Sequence, residues 1–224
     1  MPDSNSFSEA VLDVVREKID KITYTQEIKS WEVSDMVTIG WNNVLPEPPS
    51  NTSNRTMKEL SYLSELTKKL TPAQEDLVMM VDDEPLTLFE SVIGMERFDR
   101  SHFDKVWPIV DPVIMNLKYQ YNRPRPAQLA DVFKKEINVK ETKTHHTPAY
   151  PSGHTAYAAI AAYLYADMYP ELSSDIFRQV GLCGHARCLQ GVHFPSDNEA
   201  SMVIAGAVWE NVRYELFPEL PKKY

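Results

Sequence analysis

Three short segments of the chain carry side chains of the types that bind and attack a tetrahedral oxyanion. In chain order they supply Lys118 with Arg125, then Ser152, Gly153 and His154, and finally Arg187, His193 and Asp197. Lysine and arginine neutralise negative oxygens, and each arginine offers paired N–H donors. Donors fixed in advance also stabilise the extra charge of a trigonal-bipyramidal transition state. The three segments therefore predict a site for phosphate or a similar anion.

The two histidines and the aspartate suit separate roles in such a site. His193 needs a partner for one ring nitrogen if it is to attack through the other, and Asp197, four residues later, can provide it. His154 lies at the edge of the predicted anion site, where it can protonate a leaving oxygen. Singly, such residues are more often packing histidines, solvated lysines or members of surface ion pairs. The order and spacing of the whole set favour the chemical interpretation.

The middle segment is also predicted to begin a helix. Ser152 is a favoured N-cap residue, so Gly153 and His154 should lie in the first helical turn, ahead of an apolar run over residues 156–166. The free N–H groups and the positive dipole end of a helix N-terminus suit an anion. The helix start should therefore contribute directly to the anion site.

Taken together, these segments resemble the signature of the type-2 phosphatidic acid phosphatase superfamily. That superfamily includes the bacterial class A non-specific acid phosphatases and the vanadium haloperoxidases. Two further features resemble the class A enzymes most: the proline-rich residues 45–49 (LPEPP) and the collinear stretch 150–197. The resemblance extends over residues 44–215 and does not include residues 1–43.

The resemblance implies an all-α fold, a single-domain helical bundle, and a metal-independent acid phosphatase that hydrolyses soluble phosphomonoesters without a cofactor. It implies that His193 becomes a phosphohistidine, that Asp197 orients it and that His154 is the general acid. The residues implied to hold phosphate are Lys118, Arg125, Ser152, Gly153 and Arg187. Vanadate inhibition and a homodimer are compatible with the family.

Two departures from the family pattern leave alternatives open. Ala186 precedes Arg187 where serine is usual, which removes one hydroxyl, and residues 1–7 show no secretory leader. The main alternative is a vanadium haloperoxidase, in which the same cations hold vanadate and His193 ligates it. A zinc or iron hydrolase and a non-catalytic phosphate-binding protein are further hypotheses.

Composition and charge limit the partners. The formal net charge of −9 and the pI near 5.2 argue against nucleic acid or an anionic membrane, so positive charge must be concentrated locally. The run over residues 156–166 is shorter than the roughly 20 residues of a membrane span. We expect a cytoplasmic protein, periplasmic or secreted only if a leader is removed. Cys183 and Cys188 should be free thiols because a five-residue spacing points them apart on a helix.

The remaining pattern predicts helices and no strand. Apolar spacing and capping signals predict helices near residues 57–70, 72–82, 86–94, 103–122, 127–137, 153–168, 174–189 and 196–212. Pro108 and Pro112 should kink or restart the fourth of these. Capping boxes are predicted at residues 6–9 and 196–199. The predicted division is an N-terminal helical extension, residues 1–43, and a phosphatase-like domain, residues 44–224.

Overall fold

The computed structural model describes residues 9–22, 24, 31–142 and 145–220, and within these ranges the chain is helical without strands. This confirms the predicted all-α class. The helices are α1 (Glu9–Asp20), α2 (Trp41–Val44), α3 (Asn54–Leu66), α4 (Pro72–Asp83), α5 (Thr87–Ile93), α6 (Arg100–Tyr121), α7 (Pro126–Val132), α8 (Gly153–Met168), α9 (Ser173–Leu189) and α10 (Pro195–Leu216), with a short 3₁₀ turn at Pro170–Leu172.

Helix α8 forms the centre of the bundle and packs mainly against α9 and α10, with α6 on a further side. It is apolar almost all round, as expected for a helix surrounded by others. Five of its fully buried residues are alanines, at positions 156, 158, 159, 161 and 162. Such small side chains let neighbouring backbones approach closely, which brings the ends of α6, α8, α9 and α10 together.

Helix α6 is continuous over 22 residues even though it contains Pro108 and Pro112. A restart at either proline, one of the two predicted outcomes, is therefore wrong. Each proline removes one backbone donor, but the buried apolar face of the helix, including Val110 and Ile114, holds it against the core. The helix ends at Asn122, whose left-handed conformation (φ 45°) suits asparagine and turns the chain towards Arg123.

The connection between α9 and α10 determines where His193 lies. Gly191 has φ +71°, and a Cβ there would lie 2.7 Å from a methyl carbon of Ile137, so glycine is required at this turn. The predicted capping box at residues 196–199 is wrong, because α10 already begins at Pro195. Proline suits the first helical position, and the Asp197 carboxylate accepts from the Phe194 N–H at 2.9 Å.

The N-terminal helix packs onto the rest of the chain. Val15 and Ile19 of α1 lie in a small apolar cluster with Leu60 of α3 and Leu129 of α7. The Tyr24 hydroxyl donates to Gln128 at 2.7 Å. The predicted capping box at residues 6–9 begins outside the described residues. The division at residue 43 stays a prediction.

Several smaller predictions have clear outcomes. Cys183 and Cys188 are free and buried, as predicted. Helix α4 begins at Pro72 as predicted, and Thr71 and Gln74 form a capping box there. The helix predicted over residues 127–137 stops at Val132. No helix in the described ranges combines the length and the apolar composition that a bilayer crossing requires.

Candidate active site

A cavity of about 510 Å³ opens where the C-terminal end of α6 meets the N-terminal end of α8 and the α9–α10 connection. Five of the predicted site residues line it: Lys118, Arg125, Gly153, His154 and His193. Its other walls come from the end of α4 and the turn into α5, one partly buried face of α6, Thr147 and Tyr157. Ser152, Arg187 and Asp197 lie immediately behind this lining and contact it.

The hydrogen bonds of His193 determine which ring nitrogen carries the proton. Arg125 Nη1 lies 2.9 Å from His193 Nε2, and a guanidinium can only donate. We therefore assign the lone pair to Nε2 and the proton to Nδ1, which donates to Asp197 Oδ2 at 3.2 Å. Burial, with the charges of Arg125 and Lys118, holds the pKa of His193 well below its usual value. The neutral form of the imidazole is therefore favoured over the protonated form.

Asp197 is held from its other side by Arg123. The Asp197 carboxylate is fully buried, and Arg123 Nη1 donates to its Oδ1 at 2.5 Å. Arg123 also donates to Ser196 Oγ at 2.8 Å, stacks over the Phe194 ring at 4.0 Å and pairs with Glu59 at 3.4 Å. The two carboxylate oxygens of Asp197 therefore have different partners: Oδ2 accepts from His193, and Oδ1 accepts from Arg123.

Glu59 on α3 completes this buried chain of contacts. It is only 8% exposed and accepts from the Ser196 N–H at 3.0 Å and from Ser196 Oγ at 2.7 Å. Ser196 directly precedes Asp197 in the first turn of α10. Glu59 therefore holds both this turn and the Arg123 side chain in place. Sequence reasoning missed both Arg123 and Glu59. The only signal in the sequence is the doubled Arg-Pro pair at residues 123–126.

Two of the three predicted anion-binding cations are held by backbone carbonyls. Lys118 Nζ donates to the Pro148 carbonyl at 2.7 Å. Arg125 donates through Nε to the Thr147 carbonyl at 2.8 Å and through Nη1 to the Val192 carbonyl at 2.7 Å. Burial and the neighbouring Arg125 charge hold the pKa of Lys118 well below its usual value. These hydrogen bonds hold the two side chains in the wall of the cavity.

The third cation, Arg187, is buried behind His154. It pairs with Asp82 at 2.7 Å and also donates to Gln190. Its charge still reaches the cavity, since it lowers the pKa of both His154 and His193. Ala186, beside it, is fully buried in the apolar core.

Ser152 has the predicted place at the start of α8 but does not line the cavity. Its hydroxyl accepts from the Thr155 N–H at 3.4 Å and donates to Thr155 Oγ1 at 2.9 Å. Its own N–H donates to the Asp197 carbonyl at 3.2 Å, which ties the α8 N-terminus to α10. Direct phosphate binding by Ser152 stays a prediction.

His154 lines the cavity on the first turn of α8. Burial and the positive charge of Arg187 lower the pKa of His154 to about 3. The general-acid role predicted for His154 requires the protonated ring, which a pKa of about 3 disfavours except in strong acid. A bound dianion would offset the charges of Arg187 and Lys118, and the pKa of His154 should therefore rise when substrate binds.

We expect phosphate or vanadate to raise the pKa of His154 by at least about one unit. NMR titration of the histidine ring signals with and without saturating anion measures this change, and a His154→Gln variant assigns the signals. His185, outside the cavity, provides an internal reference. Turnover should fall as pH rises through the raised pKa, because the protonated fraction is lost. If the pKa of His154 is the same with and without the anion, this electrostatic explanation is wrong.

The other histidines lie outside the cavity. His145 and His146 contact each other in a tilted arrangement with ring centroids 4.2 Å apart, and they line a neighbouring cavity with Tyr24. His185 lies on α9 beside a separate surface groove. Among the described residues, no group of three or more His, Cys, Asp and Glu side chains is arranged to hold a metal ion.

Comparison with known proteins finds a family match for part of the chain. Residues 109–218 match the family model described as the PAP2 superfamily, a range that starts within α6 and contains every predicted site residue. They form a PAP2 superfamily domain. The chain is also similar to the non-specific acid phosphatases of Salmonella typhimurium and Salmonella typhi. Each is 27% identical to it over 192 residues, which cover 80% of this chain and 74% of the relative.

Proposed function

We propose that the protein is a phosphoric monoester hydrolase that needs no metal and works through a phosphohistidine. The observation that carries the proposal is the state of His193, whose Nε2 lone pair is fixed at a cavity also lined by Lys118 and Arg125. A nucleophile beside fixed cations suits attack on phosphorus. The names of the two Salmonella relatives support the same reaction class.

In the first half of the proposed reaction, the ester phosphate accepts hydrogen bonds from Arg125 and Lys118. It displaces His193 Nε2 from Arg125 Nη1. His193 Nε2 attacks phosphorus, and the bond between phosphorus and the leaving oxygen breaks. His154 gives its proton to that oxygen, so the alcohol leaves neutral. Asp197 stabilises the positive imidazole ring that results, since its Oδ2 accepts from Nδ1.

In the second half, the neutral His154 accepts a proton from water as that water attacks phosphorus. The bond between phosphorus and His193 Nε2 breaks, and inorganic phosphate leaves with the original protonation states restored. The N–H groups at the start of α8, including that of Gly153, and the three cations Lys118, Arg125 and Arg187 are proposed to hold the equatorial oxygens throughout. The substrate is a small phosphomonoester, and a homodimer stays a prediction.

The test uses purified full-length protein with p-nitrophenyl phosphate in excess EDTA. We expect turnover to be unaffected by the chelator. Rapid quenching with ³²P-labelled substrate into alkali, which preserves phosphohistidine, should place the label on the peptide that contains His193. Loss of turnover in EDTA, restored by a metal, would refute metal independence, and label elsewhere would refute the intermediate.

Vanadate provides the comparison with the haloperoxidase alternative. It has the charge and shape of phosphate, and the same cations would hold it with His193 as ligand, so we expect competitive inhibition of the phosphatase. The structure adds no feature that favours peroxide chemistry within the described ranges, since His145 and His146 line the neighbouring cavity. Bromination after vanadate loading, in the presence of bromide and peroxide, would instead support the alternative.

A further inference from the structure

One face of α6 runs along the length of the proposed active-site cavity. Trp107, Asp111, Met115 and Lys118 all line it, at intervals of four, four and three residues. This spacing places them on one side of the helix. Asp111 lies about two turns, or ~10 Å along the helix axis, before Lys118. The long Lys118 side chain leans back towards the helix N-terminus, which shortens that gap.

Asp111 differs from Asp82 and Glu84, the other partly buried acidic residues of the cavity, in having no hydrogen bond or ion pair to a described residue. Asp82 is paired with Arg187 at 2.7 Å, and Glu84 with Arg100 at 2.5 Å and with the Tyr157 hydroxyl at 3.2 Å. Across the described residues, no hydrogen bond or ion pair reaches the Asp111 carboxylate. The side chain is partly buried, and burial raises its pKa. A carboxylate in this position gains most from a cationic ligand.

Two aromatic rings lie at the same end of the cavity. Trp107, one turn before Asp111, packs edge-on against Tyr157 with centroids 4.8 Å apart, and both line the cavity. Aromatic faces next to a carboxylate form the usual environment for an ammonium group. The cavity therefore has a cationic end that suits phosphate and, two helical turns away, an anionic and aromatic end.

We propose that the cavity selects phosphomonoesters whose leaving group carries an ammonium nitrogen, with Asp111 as its acceptor and Trp107 beside it. The inference rests on the proposed phosphatase function. The reaction is the same hydrolysis, with an amino alcohol as the released product. Among the acidic residues of the cavity, Asp111 is the partly buried carboxylate without a hydrogen bond or ion pair to a described residue, and the Lys118 charge acts on it only through space. In this proposal Asp111 determines the specificity.

The experiment compares ω-aminoalkyl phosphates with n-alkyl phosphates of equal chain length at neutral pH. We expect wild-type kcat/KM to favour the ammonium substrate by about tenfold at the best chain length. Asp111→Asn should bring that ratio to about one. Asp83→Asn, which removes an exposed carboxylate from the mouth of the same cavity, should retain the wild-type ratio because water screens it.

Binding measurements separate this inference from the proposed function. Calorimetry with aminoalkyl and alkyl phosphonates, which are not hydrolysed, gives the same preference without turnover, and thermal unfolding confirms that each variant is folded. A wild-type ratio near one, or an equal ratio in wild type and Asp111→Asn, would overturn the role of Asp111. If the protein hydrolyses none of the esters but still binds aminoalkyl phosphonates more tightly than alkyl phosphonates, only the proposed reaction is wrong.

Discussion

Replacing His193 with alanine is expected to lower turnover of p-nitrophenyl phosphate by at least about 10⁴-fold. The variant lacks the imidazole, whose Nε2 lone pair faces the cavity beside Arg125 and whose Nδ1–H donates to Asp197. The anion-binding cations remain anchored to the carbonyls of Thr147 and Pro148. The variant should therefore still bind phosphate and vanadate, while the alkali-stable label disappears.

Steady-state kinetics, label trapping and phosphate calorimetry measure these three properties separately. His185→Ala is the matched control, since that histidine lies on α9 outside the cavity and should leave all three unchanged. Thermal unfolding shows whether the His193→Ala protein retains its fold. Full turnover in folded His193→Ala protein would eliminate the phosphohistidine mechanism.

Replacing Asp197 with asparagine should cost about 10³–10⁴-fold in kcat, although the side chain keeps its size. Asp197 Oδ1 accepts from Arg123 at 2.5 Å, whereas Oδ2 accepts from His193 at 3.2 Å and from the Phe194 N–H at 2.9 Å. An amide has one oxygen, so its NH₂ must face a donor on one side. Arg123 attracts the oxygen, which leaves the NH₂ towards His193 and favours the wrong tautomer.

A second substitution tests this explanation. Arg123→Met in the Asp197→Asn background removes the competing donor and allows the amide oxygen to turn to His193, so part of kcat should return. Asp175→Asn, whose exposed carboxylate pairs with Arg178, is the control and should change neither kcat nor stability. If the double variant is no faster than Asp197→Asn, Arg123 does not act through the orientation of residue 197.

The sequence was sufficient to predict most of the helices and five of the residues that line the cavity. Apolar spacing and caps place α4, α8 and α9 within a few residues of their observed bounds, because those signals are local. The segments around Lys118, His154 and His193 meet as their joint pattern predicted. At the start of α10 two local signals disagree: Pro195 favours the first helical position, whereas Ser196 favours the N-cap. The helix begins at Pro195.

The contacts behind the site could not be predicted from spacing. Arg123 pairs with carboxylates 64 and 74 residues away, and Asp82 meets Arg187 across 105 residues. Glu59 lies on an amphipathic helix where a charged residue normally indicates the solvated face. Only the packing of α3 against the α9–α10 region buries it. Long-range pairing of charged side chains leaves no local pattern in one sequence.

The contact between Arg125 and His193 has a consequence for the resting enzyme. Arg125 Nη1 donates to His193 Nε2, so this hydrogen bond occupies the lone pair that the proposed attack on phosphorus requires. The same guanidinium is drawn away only by a ligand with enough negative charge to compete for it. We therefore expect His193 Nε2 to become free for attack when an anionic ligand binds Arg125. In the proposed reaction that ligand is the phosphate group of the substrate.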